Sequence, residues 1–421
     1  MSLRRVPPAY APIRPLGWLR AGGADPRAGL ASLLRERLDA QQVLLTGSGT
    51  QALRLAVRAT LRWRRGGAGR AADATVAVPA FTCFDVASAV LAEAGRIACY
   101  DVDPATLAPE PASFGRVLAG APAVVIVSPL YGVPVDWDRI AGLVRGSGAV
   151  LIEDAAQGHG ASWKSAPLGA LGELSVVSFA RGKGWTGGAG GALLVRGEAA
   201  TALDAGAGLA PAAAGSGMDV VASAVGQWAF GRPGLYGLPA RLPWLRLGET
   251  DYRDAPTPSA MASAAARLAL ATAKAADAEA AERRRRGAWL RERLPAGSCV
   301  PIPDGGRGGE LRLPVRIPGG AAALGPEGEA LGAAQTFPAI IPALPAVAGR
   351  LDPGEGRWPG SEMLLRELVT LPTHSLLRRN DAERLLRMVD KVASSVGGGD
   401  SDGRRKTGRL SRHDGCPPGE G

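Results

Sequence analysis

Three short segments of the sequence carry residue types that could act together in chemistry. The segment Gly-Ser-Gly-Thr at 47–50 lies between a short apolar stretch and a helical pattern. Asp154 lies at the end of another apolar stretch, in Ile-Glu-Asp-Ala-Ala-Gln at 152–157. Lys183 lies in a glycine-rich segment at 178–191. An anion-binding turn, a carboxylate and an amine are therefore the groups to be placed by the fold.

The segment at 47–50 has the composition of an anion site. Its glycines let the backbone approach a ligand closely, and the N–H groups and dipole of the helix that follows attract a phosphate. It is not a Walker motif, because no Gly-Lys-Ser/Thr follows. A turn in which the glycines serve only close packing fits the pattern as well, so both interpretations stay open.

Asp154 and Lys183 each allow an ordinary and a functional interpretation. Ligands of open α/β sheets bind at the carboxyl ends of strands, where Asp154 is expected, but an aspartate there is also a common helix N-cap. Lys183 is one of only five lysines and lies in a loop. An ordinary loop lysine is the alternative. Taken together, the three segments supply what pyridoxal phosphate (PLP) requires: an anion site, a carboxylate for its ring nitrogen and an amine for its aldehyde.

The elements that would position these residues alternate along the chain. Short apolar strands interleaved with helices predict an α/β domain with a mostly parallel sheet. The expected strands are 43–45, 76–78, 97–100, 123–127, 149–152, 174–179 and 191–195. A long Ala-rich helix is expected over 258–294, and an amphipathic helix over 380–396.

Four regions are expected along the chain. Residues 1–26, rich in Pro, Arg and Gly, indicate an N-terminal arm rather than a packed element. A large cofactor-binding domain over 27–247 and a smaller C-terminal domain over 248–396 would follow. Residues 397–421 are largely Gly, Ser, Arg and Pro, which indicates a disordered tail.

The composition favours a soluble protein of two domains. The chain has 421 residues, of which 46% are hydrophobic and 21% charged, with a net charge of +10. Most of the positive charge is arginine, and the densest run, Arg283 to Arg286, falls in a helical pattern. A solvated helix face is the favoured interpretation of that run, and an anion or partner patch is the alternative. Aromatic residues do not interleave with the basic ones, so no nucleic-acid partner is expected.

The remaining signals concern metals and membranes. The four cysteines, Cys83, Cys99, Cys299 and Cys416, fit neither a zinc motif nor a dense disulfide framework, so no metal is expected. The sequence contains no signal-peptide pattern and no apolar stretch long enough to span a bilayer. A cytoplasmic protein without a membrane span is therefore expected.

Further segments make the sequence similar to a known family. They are Val-Pro-Ala-Phe-Thr at 78–82, Tyr-Asp-Val-Asp-Pro at 100–104, Leu-Tyr-Gly at 130–132, Glu-Asp-Ala-Ala-Gln-Gly-His-Gly-Ala at 153–161 and Leu-Pro-Thr-His at 371–374. With these segments in this order, the chain resembles the DegT/DnrJ/EryC1/StrS aminotransferases over about 27–196, and more weakly over about 248–396. The resemblance implies a fold-type-I PLP-dependent transferase, with a mostly parallel central sheet in its large domain and a smaller C-terminal α/β domain.

The resemblance also implies an activity and roles for single residues. The enzyme would move an amino group from an amino acid, glutamate or glutamine, to a keto-sugar that is nucleotide-linked in most members. Lys183 would be the Schiff-base lysine, Asp154 the partner of the ring nitrogen and Gln157 the donor to the ring hydroxyl. Lysine at 183 favours amino transfer, because related sugar dehydratases have histidine there. A homodimer is implied, since the family's site lies between subunits.

The other cofactor contacts implied by the resemblance include one departure. The phosphate ligands would be Gly49, Thr50, Gln51 and Ser178. The ring-stacking position is usually aromatic in the family, but here it aligns with Cys83. Phe84 or Phe81 would cover the ring instead, or the stacking would be weaker.

Two further residues are candidates for contacting the substrate. The family motif Gly-Tyr-Asn-Tyr-Arg, whose asparagine belongs to the neighbouring subunit's part of the site, appears here as Glu-Thr-Asp-Tyr-Arg at 249–253, which makes Tyr252 one candidate. His159 follows the acid motif and is the other, although a packing role is the favoured interpretation.

Two alternative functions remain open at this point. One is another PLP reaction on the same fold, such as elimination or amino transfer to a non-sugar ketone; Cys83 and the poor match over 199–247 motivate it. The other is a non-catalytic PLP-binding regulator or a scaffold tied to polysaccharide assembly.

Overall fold

The computed structural model describes residues 4–13, 25–64, 74–202, 209–213, 215–237, 251–352 and 356–397. Its helices are α1 Pro26–Leu38, α2 Gly49–Arg64, α3 Phe84–Leu91, α4 Pro111–Ala119, α5 Trp137–Ser147, α6 Gly197–Ala202, α7 Ser216–Phe230, α8 Ser263–Arg291, α9 Gly320–Ala330, α10 Pro345–Ala348, α11 Pro359–Glu367 and α12 Arg379–Gly397. Its strands are β1 Gln42–Thr46, β2 Thr75–Pro79, β3 Arg96–Tyr100, β4 Val124–Val127, β5 Val150–Asp154, β6 Ser162–Trp163, β7 Ala166–Pro167, β8 Leu174–Ser178, β9 Gly191–Val195, β10 Gly306–Arg307, β11 Leu313–Arg316 and β12 Leu368–Leu371.

Seven strands form the central sheet, in the order β1-β9-β8-β5-β4-β2-β3. The strands β3, β2, β4, β5 and β8 pair in parallel, whereas β9 is antiparallel to both β8 and β1. This arrangement confirms the α/β fold with a mostly parallel sheet that the alternating pattern predicts. Strands such as β4 are apolar throughout because helices cover both faces of the sheet.

Successive strand residues contribute to different cores, as the pleat of a strand requires. Val76 and Val78 pack with α2 and α3, while Ala77 between them packs with α4 and α5 on the opposite face. Farther along the sheet, Ala192 and Leu194 pack with α1 and α8. Two layers of helices thus enclose the sheet.

A second, smaller core surrounds the antiparallel pair β11 and β12 and includes residues of α9 and α12. The long helix α8 serves both cores, since Ala269 packs on the large sheet and Leu290 in the smaller core. Phe337 and Leu364 also pack in the larger core, although both lie in the segment expected to form the small domain. Packing alone therefore does not mark a boundary at residues 247/248, and that division remains a prediction.

The described part of the N-terminal segment is extended and packed. Val6 is 1% exposed and its N–H donates to the carbonyl oxygen of Ala330 over 2.8 Å. Arg4 forms a salt bridge of 2.7 Å with Asp381. The expectation of an unpacked arm is therefore wrong for residues 4–13, because an apolar side chain and a backbone hydrogen bond join it to the smaller core. The expected tail from residue 398 onward lies outside the described residues.

Within the described ranges, no helix combines the length and the apolar character needed to cross a membrane. The same ranges contain no cluster of three or more His, Cys, Asp or Glu side chains placed to bind a metal. Cys83 and Cys299 are free thiols.

Candidate active site

A pocket opens at the carboxyl ends of β4, β5 and β8, beside the first turn of α2. This is the edge at which open α/β sheets bind their ligands. Its lining residues are Ser48, Gly49, Thr50, Leu53, Thr82, Cys83, Asp85, Val86, Ser128, Pro129, Leu130, Asp154, Ala156, Gln157, Ser178, Ala180 and Lys183. The structure thus brings together residues from all three chemical segments of the sequence. We call this cavity the cofactor pocket.

Asp154 ends β5 with its carboxylate held by two donors. Ser128 Oγ donates to Oδ2 over 3.1 Å, and the Ala156 N–H donates to Oδ1 over 3.1 Å. Burial raises the pKa of Asp154, against the opposing effects of the Lys183 charge and these hydrogen bonds. No helix begins after Asp154, so its N–H contact closes a turn and the N-cap interpretation is wrong. A buried carboxylate of this kind is stabilised in its charged form by a cation placed against it.

Lys183 lies in the loop between β8 and β9 and faces the same pocket. The loop is closed by hydrogen bonds from the N–H of Lys183 to the carbonyl of Ala180 (3.3 Å) and from Gly187 to Phe179 (2.9 Å). Gly182 has φ +79°, a left-handed conformation that glycine adopts without strain. No hydrogen bond or ion pair joins the Lys183 amine to another side chain in the described ranges, so the amine is available to a ligand.

The anion end of the pocket is formed by α2 and Ser178. A Cβ on Gly49 would lie 2.8 Å from Ser178 Cβ and 3.0 Å from its Oγ, so only glycine allows this close approach. The first turn of a helix also presents N–H groups that have no partner within the helix. The glycine therefore serves close packing and, at the same time, opens the helix N-terminus to the pocket.

Gln51 and Phe84 do not line this pocket, although both were expected to contact the cofactor. The Gln51 N–H already donates to Ser48 Oγ over 3.1 Å. The side-chain oxygen of Gln51 accepts hydrogen bonds from the N–H groups of Gly47 (3.0 Å) and Ser259 (3.1 Å). Gln51 therefore fixes the turn rather than contacting a ligand. Phe84 is 4% exposed and packs in the larger core.

Cys83, which the resemblance aligns with the ring-stacking position, lines the pocket. Burial raises the pKa of its thiol to about 12, so the sulfur stays protonated at neutral pH. Phe81 is 2% exposed and packs edge-on against Phe337 at 5.1 Å between ring centroids. No aromatic side chain of the described residues lines the pocket.

Gln157 also lines the pocket, and a backbone hydrogen bond holds its side chain. Its Oε1 accepts from the N–H of Tyr131 over 2.9 Å, which leaves Nε2 as a donor. Tyr131 has φ +59°, and the N–H of Leu311 donates to its carbonyl oxygen over 3.0 Å. A donor to a ring hydroxyl is therefore available where the sequence resemblance implies one.

The two candidate substrate residues lie away from the cofactor pocket. His159 lines a different cavity, with its ring 5.7 Å from that of Trp185. Burial and the charge of Arg283 lower the pKa of His159 to about 4. The Tyr252 hydroxyl is 3.3 Å from Asp254 Oδ1, on the surface of α2 and α3. Within one chain, neither residue contacts the site around Lys183.

Thr82, Asp85 and Ser128 line the pocket but were not among the site residues expected from the sequence. Thr82 and Asp85 follow β2, and Ser128 follows β4 directly. Because carboxyl ends of neighbouring parallel strands share one edge of the sheet, polar residues just after each expected strand were the available signal.

The pocket has the groups that PLP requires. Gly49, Thr50 and Ser178 suit a phosphate, Asp154 a protonated ring nitrogen and Lys183 an aldehyde. The close approach of Gly49 to Ser178, which a Cβ would block, is the structural observation that supports this fit. The sheet order and the lysine loop together define the fold as that of the fold-type-I PLP-dependent transferases.

The comparisons with known proteins agree with this class. The model of the DegT/DnrJ/EryC1/StrS aminotransferase family matches residues 13–203. This match covers the stretch in which the sequence resembles the family most strongly, and it confirms the resemblance there. The crystal structure of AtS13 from Actinomadura melliaura superposes with a TM-score of 0.68 at 23% identity, covering 92% of this chain and 99% of that one. At that identity the likeness shows the fold alone.

Curated relatives are similar over a limited part of their length. The 3-amino-5-hydroxybenzoate synthase of Amycolatopsis mediterranei is 31% identical over 180 residues, which are 42% of this chain and 43% of the relative. The L-glutamine:2-deoxy-scyllo-inosose aminotransferase of Micromonospora echinospora is 33% identical over 155 residues, or 37% of this chain and 35% of the relative. The chain thus matches less than half the length of these relatives.

Proposed function

We propose that this chain is a PLP-dependent aminotransferase that moves an amino group from glutamine or glutamate to a keto-sugar. The observation that carries the proposal is the meeting of the Lys183 amine and the Asp154 carboxylate in one pocket that ends at Gly49 and Ser178. The family match and the activity named for the Micromonospora relative support it. A nucleotide-linked keto-sugar is the first acceptor to test, and a free cyclic ketone of the inosose type is the second.

Four residues of the pocket would each have a defined task in such a reaction. PLP bound there would supply an electron sink for the amino acid's Cα–H bond. Asp154, oriented by Ser128, holds the proton on the ring nitrogen. The Lys183 amine would act as the general base that takes the proton from the donor carbon and then as the general acid that returns it. Gln157 Nε2 orients the ring by donating to its hydroxyl.

We also propose a homodimer in which the segment around Tyr252 contributes to the neighbouring pocket. In one chain this segment lies on the two helices beside the pocket: Ser88 Oγ donates to the carbonyl of Arg253 over 2.6 Å, and Arg54 Nη1 to that of Ala255 over 2.6 Å. That placement supports a surface contact rather than a site in its own chain. Light scattering of the purified protein would test the dimer, and a monomer mass would contradict it.

The test of the proposed function combines cofactor trapping with a spectrum. Borohydride reduction of the PLP-loaded protein, followed by peptide mapping, should label Lys183. The visible band should fade when glutamine or glutamate is added, and return with a keto-sugar acceptor. Lys183→Ala should lose the label and the spectral change, whereas Lys164→Ala, a control on an exposed lysine, should retain both.

The outcomes separate the alternatives. A label on another lysine would overturn the assignment of Lys183. A label on Lys183 with no spectral change for any amino donor would instead favour a PLP-binding regulator. Conversion of the cofactor with acceptance only by non-sugar ketones would retain the aminotransferase and replace the substrate class.

A further inference from the structure

A second cavity is lined in part by Phe179, Gly184 and Trp185 of the lysine loop. It has a volume of about 320 Å³, which is within the range of small-molecule sites. Its lining residues are Leu34, Arg37, Leu38, Ala155, Ala156, His159, Gly160, Ala161, Pro167, Leu168, Val177, Ser178, Phe179, Gly184, Trp185, Asp277 and Arg307. We call it the rear pocket. Ala156 and Ser178 line both cavities.

The walls of the rear pocket are mostly apolar. They include Leu34 and Leu38 from α1, Leu168 next to β7, and Phe179 and Trp185 from the lysine loop. The Trp185 indole N–H donates to the carbonyl oxygen of Ala269 over 2.8 Å, so the ring is fixed. An aromatic or branched aliphatic group would bury apolar surface on these walls.

Arginines surround this apolar cavity. Arg37 lines it 5.5 Å from the Trp185 ring and pairs with Asp277 at 3.0 Å. Arg307 also lines it, and no acid in the described ranges pairs with it. Arg284 lies beside the pocket, where its Nη1 donates to the carbonyl oxygen of Gly160 over 3.0 Å. Arg307 is exposed to solvent, so it is a solvated cation at the pocket without an acid partner among the described residues.

Arg283 adds a fully buried charge to the same region. It is 0% exposed, and none of its three guanidinium nitrogens has a hydrogen-bond partner among the described residues. Its Nη2 is 3.0 Å from the position of a Cβ on Gly184, a residue of the pocket wall. Glu279 is the acid whose charge acts on Arg283. Its carboxylate accepts hydrogen bonds of 2.7 Å from both the N–H and the hydroxyl of Ser375. The solvated helix face favoured for this arginine run is therefore wrong for Arg283.

The balance of charge around the rear pocket is positive. Two acids, Asp277 and Glu279, lie in or beside the rear pocket; Asp277 is paired with Arg37, and Glu279 accepts from Ser375. They stand against four arginines, Arg37, Arg283, Arg284 and Arg307. His159 Nε2 is buried and lies 3.6 Å from Asp277 Oδ1, and it has no hydrogen-bond partner in the part of the chain that the structure describes. A buried charge without a partner is costly, and an anion bound nearby would offset that cost.

We propose that the rear pocket binds a small organic acid with an aromatic or branched aliphatic body. The body lies on Leu38, Phe179 and Trp185, and the carboxylate faces Arg307. Gly184 and Trp185 follow Lys183 directly, and Ala155 follows Asp154. A ligand in the rear pocket therefore contacts residues that are only one or two peptide bonds from Lys183 and Asp154. The inference does not depend on the proposed aminotransferase activity.

The test uses para-(trifluoromethyl)phenylacetate as the probe, followed by fluorine NMR with the full-length protein. Its alcohol analogue, which has the same body without the charge, and acetate, which has the charge without the body, serve as ligand controls. Arg307→Glu should weaken probe binding about tenfold or more, as expected for a lost charge-assisted contact. Leu38→Trp, which fills the cavity, should also weaken it, whereas Arg387→Glu, exposed on α12, should not.

The same titration is repeated with PLP present. Probe binding that persists with PLP and is lost in both pocket variants supports the rear pocket. Binding abolished by PLP would place the probe in the cofactor pocket and overturn the proposal. Equal binding of the alcohol analogue, no binding of the acid, or equal affinity in Arg307→Glu and Arg387→Glu would overturn it as well.

Discussion

The carboxylate of Asp154 combines a charge with a fixed orientation, and two substitutions separate these properties. Asp154→Asn keeps the shape but cannot hold a proton on a ring nitrogen as an ion pair, so amino transfer should slow by about 10²- to 10⁴-fold. Ser128→Ala removes one hydrogen bond to the carboxylate, worth about 1 kcal/mol, so the loss should be about tenfold or less. Single-turnover absorbance with glutamine measures both. Equal losses would mean that orientation, not charge, is the main contribution.

Arg283, unlike Asp154, has a charged side chain without a hydrogen-bond partner among the described residues. Burial lowers its pKa to about 10, so the guanidinium is still protonated at neutral pH. Arg283→Met should raise the free energy of unfolding by about 1–4 kcal/mol, the range seen when buried charges are replaced by apolar groups of similar volume. Urea denaturation measures the change. A marked destabilisation would show that Arg283 has a partner beyond the described residues.

At the level of residues, the sequence predicts the reactive groups better than their surroundings. Lys183 and Asp154 could be identified because a lone loop lysine and a strand-end acid are unusual in type and place. Ser128 lies directly after an expected strand, but the sequence does not show that β4 pairs with β5, and that pairing is what brings its hydroxyl to Asp154. Arg283 was misjudged because a run of charges says nothing about which face of α8 is covered by the lysine loop.

The helices α2 and α3, which flank the cofactor pocket, are joined by an ion-pair cluster. Glu93, just after α3, lies 2.6 Å from both Arg54 Nε and Arg58 Nη2 of α2. Burial raises the pKa of Glu93, but the hydrogen bonds and charges of the two arginines outweigh it and lower the pKa overall. The cluster therefore fixes the helix that supplies the anion site against the helix that follows Cys83.

Removing this carboxylate should cost stability in a pH-dependent way. Because the folded pKa of Glu93 is lowered, its contribution is present above the unfolded value of about 4.3 and is lost as the pH falls through the folded pKa. Glu93→Gln should lower the free energy of unfolding at pH 7 by about 1–3 kcal/mol. Glu383→Gln, which breaks the exposed pair with Arg379 on α12, should cost about 0.5 kcal/mol or less.

Urea denaturation of both variants between about pH 3 and pH 7 measures these differences. The gap between wild type and Glu93→Gln should narrow below about pH 4, since both side chains are then neutral. A gap that stays constant over this range would contradict the assigned role of the Glu93 charge.

At the level of elements, the hydrophobic pattern was sufficient to locate the strands of the central sheet. The expected strand 191–195 coincides with β9, and 174–179 differs from β8 by one residue. The pattern does not give the direction of β9, because alternation and burial look alike in parallel and antiparallel strands. The short strands β6, β7 and β10 were not expected, since two residues are too few to show any period.

The whole molecule depends on contacts that join residues far apart in sequence. Asp101, after β3, is 3% exposed and accepts hydrogen bonds from the N–H groups of Gly360 (2.8 Å) and Ser361 (2.7 Å) and from Ser361 Oγ (2.6 Å). The Trp358 indole N–H donates to the carbonyl oxygen of Cys99 over 2.8 Å. These bonds fix the start of α11 to the edge of the large sheet, which explains why part of the C-terminal half packs in the larger core.

Asp101→Ala should release this attachment. Two buried N–H groups would lose a charged acceptor, so the free energy of unfolding should fall by about 3 kcal/mol. Asp390→Ala, exposed on α12, should change it by about 0.5 kcal/mol or less. Limited proteolysis gives the local readout: cleavage between residues 356 and 367 should be faster in Asp101→Ala than in wild type or Asp390→Ala. If stability falls while cleavage within that segment is unchanged, Asp101 stabilises only its own strand end, and the two halves of the chain are held together by apolar packing alone.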